Sequence, residues 1–460
     1  MKVLVVGAGG REHAIVRALK RSPQRPELLC TPGNAGIAAD ARLLDVAVDD
    51  IDGMLAAVQR EGVDFTVVGP EVPLVAGLVD VLAKNGHAAF GPSAAAAQLE
   101  GSKAFAKDAM QEAGVPTARW SRVQSLQEGI DAARELSHQP GSPGAGVVVK
   151  ADGLAAGKGV TVADTPEQAR TALTEIFVEG RFGAGDTGDR AAASAIVEER
   201  LVGEELSLLA LCDGERALPL APARDFKRIG EDDRGPNTGG MGSYSPVAGF
   251  DDARVREIVA TVHQPVLDLM RSHGTPFHGI LYAGLMLTPD GLRVLEFNTR
   301  FGDPETQAVL PRLRTDLLAL LLAAAQPGAL AGVELEWAPE WAVTVVLAGA
   351  GYPASSSSGE EISGLELVPE GVEVTHAGTA SAPDGAIVTA GGRVLNVTGF
   401  GPDAESARRA AYAGAEMISF EGMRLRRDIA AGADGRSTMP EPPGLGSGGG
   451  RELKPEGPDG

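Results

Sequence analysis

Val147-Val148-Val149-Lys150-Ala151-Asp152-Gly153-Leu154-Ala155-Ala156-Gly157-Lys158-Gly159-Val160-Thr161-Val162-Ala163-Asp164 is the stretch on which the fold turns. It has the look of a nucleotide-binding phosphate loop, but that motif needs four residues between its glycines and a Ser or Thr after the lysine to reach magnesium. Here three residues separate Gly153 from Gly157, and Gly159 stands where the hydroxyl belongs. β-Branched runs flank the glycines on both sides, so the segment reads as a glycine hairpin between two strands rather than a cradle at the start of a helix. Backbone N–H groups of such a loop can still close over phosphates, with Lys150 and Lys158 at its two ends. An ordinary surface hairpin is the alternative. Against it stands the scarcity of lysine, nine in the chain beside 32 arginines. Four of the nine, Lys103, Lys150, Lys158 and Lys227, fall in glycine-rich or charged motifs.

Before this hairpin, residues 1–100 alternate apolar runs with helical periods. KVLVVG, ELLCT, FTVVGP and AAFGPS read as strands, and HAIVRALKRS and LVAGLVDVLAKNG as helices. Strands that are apolar throughout and separated by helices imply a parallel sheet covered on both faces, a Rossmann-like unit. After the hairpin, the strands AIVEERL, LSLLALCDG, GILYAGLML and LRVLEF alternate with helices over 251–272 and 315–325, without strict βαβ repetition. That pattern implies α+β halves. From about Trp337 the strands WAVTVVLAG, EVTHAGT and RVLNVTGFG and the helix AESARRAAYAGAEMI form a smaller terminal unit. The last stretch, rich in Gly, Pro and Ser, reads as a disordered tail. The expected architecture is α/β and α+β multidomain: a Rossmann-like domain over 1–100, a larger half over 101–120 and 191–335, a smaller lid half over 121–190, a C-terminal domain over 336–431 and a tail over 432–460.

Composition narrows the function. The net charge is −21, from 62 acidic and 41 basic residues, a field that repels nucleic acid and acidic membrane surfaces. Any anionic ligand must be held by local features. The longest apolar run, Leu317 to Ala325, is about half a membrane span. The start, MKVLVVGAGG, lacks the apolar region of a secretory signal, so a cytoplasmic protein is expected. Cys30 and Cys212 lie in strand-like segments and support neither a disulfide framework nor a thiolate metal site.

Further motifs carry possible chemistry. Gly7-Ala8-Gly9-Gly10-Arg11-Glu12 follows the first strand and opens a helix, a place suited to phosphate. The dinucleotide fingerprint needs glycine at the sixth position and an acidic residue ending the second strand. This chain has Glu12 and Cys30-Thr31-Pro32 there. Both departures argue against NAD and a dehydrogenase, and Arg11 favours a phosphomonoester. A tight turn without a ligand is the alternative. In Leu295-Glu296-Phe297-Asn298 the period of two puts Glu296 and Asn298 on one face, where two oxygen donors suit a hard cation completed by substrate phosphates. Arg300, Asp303 and Glu305 follow in RFGDPETQ, describing a place where phosphate charge is neutralised. Glu198, Glu199, Glu204 and Glu205 are either a charged turn or a connector reaching a purine edge and then a ribose. The loop GPNTGGMG, from Gly235 to Gly242, is either a linker or a binding loop. No HxxxH, HExxH or Cys/His cluster and no GxSxG occurs, so zinc and serine hydrolases are unsupported.

Together MKVLVVGAGGREHA, PGNAG, VGPEVPL, FGPS, QLEGSKAF, KADGLAAGKGV, GPNTGGMGSYSP and EFNTRFGDPETQ resemble the phosphoribosylamine–glycine ligase family of the ATP-grasp superfamily, from Met1 to about residue 430. RFGDPETQ is specific to this family, and the tail has no counterpart in it. The resemblance implies a Rossmann-like N-terminal domain, an ATP-grasp pair clamping the nucleotide and a small C-terminal domain. It implies ligation of glycine to 5-phosphoribosylamine through a glycyl phosphate, with ATP and Mg2+ or Mn2+; a monomer is expected, and the acidic charge speaks against nucleic acid or membrane as partners. Carried over by position, Lys103 and Lys150 would hold ATP phosphates under a lid containing Gly153, Gly157, Lys158 and Gly159. Glu198, Glu199 and Leu201 would line the adenine, and Glu205 the ribose. Glu296 and Asn298 would bind metal, and Arg300 would steady the transferring phosphoryl group. Asp225, Lys227 and the loop residues Asn237, Thr238, Gly239 and Gly240 would face glycine and acceptor. Gly9, Gly10, Arg11 and Glu12, with Asn34, Gly69, Pro70 and Glu71, would meet phosphoribosylamine. GILYAGLMLT lacks the extra acidic ligand that many superfamily members have on this strand, which leaves the number of metal ions open. The competing readings are another ATP-grasp enzyme of purine metabolism, opposed by RFGDPETQ, and a catalytically silent nucleotide-binding protein, opposed by Lys150, Glu296, Asn298 and Arg300 together.

Overall fold

The structure, a computed structural model, describes residues 1–137, 145–154, 159–180 and 194–435. Gly157 and Lys158 of the expected lid, and the expected tail from residue 436 onward, lie outside them. No helix among the described residues is long and apolar enough to cross a membrane.

The N-terminal unit is a five-stranded parallel sheet in the order Arg42–Leu43, Glu27–Pro32, Lys2–Gly7, Phe65–Val68, Ala88–Phe90. Its central strand is apolar on both faces because two different cores cover it. Val3 and Val5 pack with Ile15, Leu19 and Phe301, whereas Leu4 and Val6 pack with Met54, Val58 and Leu74. The helix expected over LVAGLVDVLAKNG is instead two, Glu71–Val75 and Leu78–Lys84. Gly77 between them has a φ of +85°, a left-handed turn that interrupts the helical path.

The smaller of the next two sheets is antiparallel, in the order Trp120–Val123, Ala195–Glu199, Val147–Ala151, Val160–Ala163. The helices Leu126–Leu136 and Pro166–Phe177 share one core with it. The glycine stretch therefore does join two antiparallel strands. The larger sheet runs Ala217–Pro219, Glu204–Asp213, His278–Thr288, Gly291–Asn298. Its long strands alternate between cores: Leu208 and Ala210 face one and Leu209 and Leu211 the other. The second of these cores also takes in Leu317, Leu318 and Leu321 of the helix Leu317–Ala324, so the most apolar run of the chain is an interior helix.

The period of two breaks in Gly291–Asn298. Glu296 pairs with Gly284 and Val294 with Leu285, leaving Leu295 as a bulge. A bulge re-aims the side chains around it, and Val294 and Phe297 are the buried pair here, where strict alternation would bury Leu295 with Phe297. The last sheet runs Arg224–Asp225, Gly242–Ser245, Trp341–Ala348, Arg393–Gly401, Glu373–His376. It thus crosses the boundary expected near residue 336, because strands before and after that point share hydrogen bonds and one core.

Candidate functional site

Ser102 caps the helix Lys103–Glu112 by accepting the N–H of Phe105 at 3.1 Å, which places Lys103 at the helix start. Its Nζ lies 3.0 Å from Glu296 Oε2. Lys103 holds the Glu296 carboxyl well below the usual carboxylate range, against the opposing effect of burial, with help from Lys150 and Lys227. Lys150, on Val147–Ala151, donates to the Leu295 carbonyl at 2.9 Å, the residue freed by the bulge, and pairs with Glu198 at 2.9 Å. Asp152, which the sequence reading passed over, fixes the stem of the glycine stretch. It accepts from Ser102 Oγ (3.0 Å), the Ala104 N–H (3.2 Å) and Ser194 Oγ (2.7 Å). Of the residues expected at the adenine, Glu198 is buried, Glu199 accepts from Arg119 N–H at 2.8 Å and Nε at 2.7 Å, and Leu201 is half-buried.

Arg300 sits between two carboxylates from different parts of the chain, 3.3 Å from Glu71 and 3.0 Å from Glu100, and donates to Asn298 Oδ1 at 3.3 Å. Burial would push the Glu71 carboxyl up, but Arg300 and Arg11 outweigh it and hold it low. Beside this pair is a second charged group. Lys227 lies 2.7 Å from Glu205 and 3.8 Å from Asp225, while Ser207 and Tyr282 bond Glu305 at 3.3 and 2.5 Å. Burial pushes the Asp225 carboxyl up, against the pull of Lys227. Glu205, expected on the ribose, therefore joins the connector between Glu198 and Glu205 to the Asp225–Lys227 pair.

An open cleft of about 380 Å³ lies between Ala8, Gly9, Gly33 and Asn34 on one side and Ala377, Gly378, Thr379, Ala390 and Arg393 on the other, with Asp303 in its wall. Several residues expected to face the acceptor are committed elsewhere. Gly10 is packed against Asn396 and Gln307, where a Cβ would not fit. Arg11 donates to Glu12 at 2.6 Å and to the Phe301 carbonyl at 3.1 Å. Glu12 accepts the Gly9 N–H at 2.7 Å and fills the space left by the missing side chains of Gly7, Gly9 and Gly69. The anion site that a strand-to-helix turn offers is thus taken by the chain's own carboxylate. Asn34 lines the cleft, but its amide is fully used: Nδ2 donates to the Ala8 and His376 carbonyls at 2.8 and 2.9 Å, and Oδ1 accepts from Gly36 and Ile37. An Asn side chain has no further hydrogen-bonding capacity. Pro70 is a half-buried cap of the short helix that begins with Glu71.

The residue that sequence reasoning missed in this cleft is Arg393. It donates to the Asp303 carbonyl at 2.7 Å, to Asp303 Oδ2 at 2.9 Å and to the Gly239 carbonyl. Tyr352 accepts the Gly239 N–H at 2.8 Å, and Thr238 bonds the Lys227 carbonyl through both N–H (2.7 Å) and Oγ1 (2.9 Å). Asn237 pairs with Arg228 across a short hairpin, and Gly240 packs on Pro304. The glycine loop is therefore an anchored element. No local signal marked Arg393, whose partners lie 90 and 154 positions away.

Two oxygen donors, the ionised Glu296 and the amide of Asn298, suit a hard divalent cation completed by phosphates and water. Among the described residues no group of three or more His, Cys, Asp or Glu forms a denser cage.

Residues 1–100 match the phosphoribosylglycinamide synthetase N domain, 101–306 its ATP-grasp (A) domain and 342–432 its C domain. The chain is 50% identical over 440 residues to a phosphoribosylamine–glycine ligase of Streptomyces coelicolor, covering 95% of this chain and 100% of that protein. To the ligase of Xylella fastidiosa (strain Temecula1) it is 48% identical over 432 residues, 93% and 97% of the two chains. A solved phosphoribosylamine–glycine ligase from Thermotoga maritima superposes with a TM-score of 0.78 at 33% identity, over 93% of this chain and 100% of that one. A biotin carboxylase domain from Hydrogenobacter thermophilus, solved with MgADP, shares the fold at 16% identity and a TM-score of 0.69, covering 92% and 91% of the chains.

Proposed function

Because this chain belongs to the phosphoribosylglycinamide synthetase family, the ATP-dependent ligases that join glycine to phosphoribosylamine, we propose that its residues divide that reaction among three adjoining groups. The observation that carries the assignment is the segment Arg300–Gln307, which contributes to all three. Arg300 bonds Asn298 on the phosphate side, Glu305 bonds the Tyr282 and Ser207 hydroxyls beside Asp225, and Asp303 stands in the cleft wall with Arg393.

On this reading Lys103, Lys150 and Arg300 hold the phosphates of ATP, with Gly153 and Gly159 at the ends of the lid. Glu296 and Asn298 hold a divalent ion, magnesium or in its place manganese, which supplies neutralisation of phosphate charge. A glycine carboxylate oxygen attacks the γ-phosphorus, the β–γ bridging bond breaks, and ADP leaves. Phosphoryl transfer of this kind rests on positioning and charge neutralisation. The amine of phosphoribosylamine then attacks the acyl carbon of glycyl phosphate, inorganic phosphate leaves, and the amine nitrogen gives up a proton as the amide forms. Asp225 and Lys227 face the glycine. The amine is already a nucleophile, so no histidine is required. The lid keeps water from the acyl phosphate.

For the acceptor, Arg393 takes the place first given to Arg11 as the fixed cation for the 5-phosphate, and Asp303 accepts from ribose hydroxyls. With phosphoribosylamine generated in place, Arg393→Met is expected to raise its KM about thirtyfold, the scale of one charged hydrogen bond, and to leave the KM for ATP unchanged. An unchanged KM for the amine contradicts the cleft assignment. ADP release by the unaltered enzyme that persists at full rate without glycine contradicts the ligase reading.

A further inference from the structure

Lys107 lies one helical turn after Lys103, and residues four apart share a face of a helix. Like charges so placed need acidic partners. Lys103 has Glu296. Lys107 reaches Glu198 Oε1 at 3.2 Å, and that same oxygen is 2.9 Å from Lys150 Nζ. All three side chains are more than nine-tenths buried, with exposures of 3% for Lys107, 3% for Glu198 and 7% for Lys150. Lys107 also donates to Thr117 Oγ1 at 2.6 Å, and Thr117 donates to the Val294 carbonyl at 2.6 Å. Lys150 ends on the next carbonyl, Leu295. The two ammonium groups thus share one carboxylate and are tied to adjacent residues of the bulged strand.

This arrangement bears on how Lys150 becomes available. Its ammonium has three donors; one is taken by the Leu295 carbonyl, and the 2.9 Å ion pair with Glu198 holds the group in place. Turning toward a phosphate means loosening Glu198, and without Lys107 that buried carboxylate would be left with no cation, which is strongly disfavoured. We propose that Lys107 is the standing counter-ion of Glu198, a positioning residue that lets Lys150 turn from Glu198 to a phosphate of the nucleotide. The inference rests on the reading of Lys150 as a phosphate ligand. Burial lowers the Lys107 ammonium to about 8, against the opposing pull of Glu198. The charged groups facing it are Glu198, Lys150 and Glu296, so nucleotide affinity should weaken as pH rises through that value.

The test is calorimetric titration of the full chain with a non-hydrolysable ATP analogue and magnesium, without glycine. Lys107→Met should weaken binding about thirtyfold, as expected for one charged hydrogen bond. Adding Glu198→Gln should recover most of that loss, because a neutral amide no longer retains Lys150. Lys107→Arg should bind nearly as the unaltered protein does. Between pH 7.5 and 9 the unaltered protein should lose affinity and the Lys107→Met variant should not. A double variant no tighter than Lys107→Met overturns the proposal. Where Lys107→Met does not fold, Lys107→Gln with and without Glu198→Gln makes the same comparison. Lys150→Met, measured in parallel, separates the two readings: normal binding there means that the phosphate role of Lys150 itself is wrong.

Discussion

Replacing Glu296 by Gln is expected to lower kcat about a thousandfold, equivalent to about 4 kcal/mol of transition-state stabilisation, while the protein stays folded. Glu296 is the one ionised oxygen ligand proposed for the metal, and Asn298 adds only a neutral amide. Lys103, 3.0 Å away, keeps that carboxylate charged across the whole working pH range. Gln keeps the shape and one acceptor oxygen, so Lys103 retains a hydrogen bond but faces a cation site without its counter-charge. The Glu296 side chain is partly open to solvent and Gln leaves an amide oxygen for Lys103, so the fold is expected to survive the loss of the charge at a moderate cost in stability. Steady-state ADP release and thermal unfolding check the two halves of the prediction. Turnover within a few fold of the unaltered enzyme rules out Glu296 as a metal ligand.

Glu12→Ala is expected to act the other way round, on stability. The carboxylate caps the helix Gly10–Lys20 at Gly9, pairs with a buried Arg11, and occupies space that Gly7, Gly9 and Gly69 leave open for it. It sits at a helix N-terminus, where negative charge is favoured. Its removal leaves Arg11 hydrogen-bonded to the Phe301 carbonyl with Glu71 as its remaining acidic neighbour, and breaking a buried pair from one side costs about 3–5 kcal/mol. Glu12→Gln keeps the cap and the volume and should lose less. Denaturant unfolding followed by intrinsic fluorescence measures both. A Glu12→Ala protein of ordinary stability whose only defect is a raised KM for phosphoribosylamine would restore Glu12 as a substrate ligand.

Most strands and helices were legible because their signal is local: apolar period, β-branching and glycine punctuation. The glycine hairpin is legible from the strands that flank it, and Cys30 and Cys212 lie buried in strands, as their apolar segments imply. What periodicity could not show is where one residue shifts the pattern. The bulge at Leu295 has no sequence mark, yet it presents the carbonyl that Lys150 uses. Arg11 and Glu12 look the same in sequence whether they face a ligand or each other. The three-residue step from Gly9 to Glu12 is the capping spacing, and it was the available clue. The four-residue step from Lys103 to Lys107, in a lysine-poor chain, was likewise the clue to a second buried cation. Arg393 and Tyr352 reach the site only through tertiary contacts with segments far away in sequence, so no window of local sequence contains them.

The proposed chemistry turns the glycine carboxylate into an acyl phosphate, in the space assigned to it between Arg300 and Asp225. The most direct measurement is one turnover with glycine carrying 18O in its carboxylate, followed by mass analysis of the inorganic phosphate. One 18O is expected in each phosphate released and one in the amide carbonyl of the product. Phosphate free of label would contradict it.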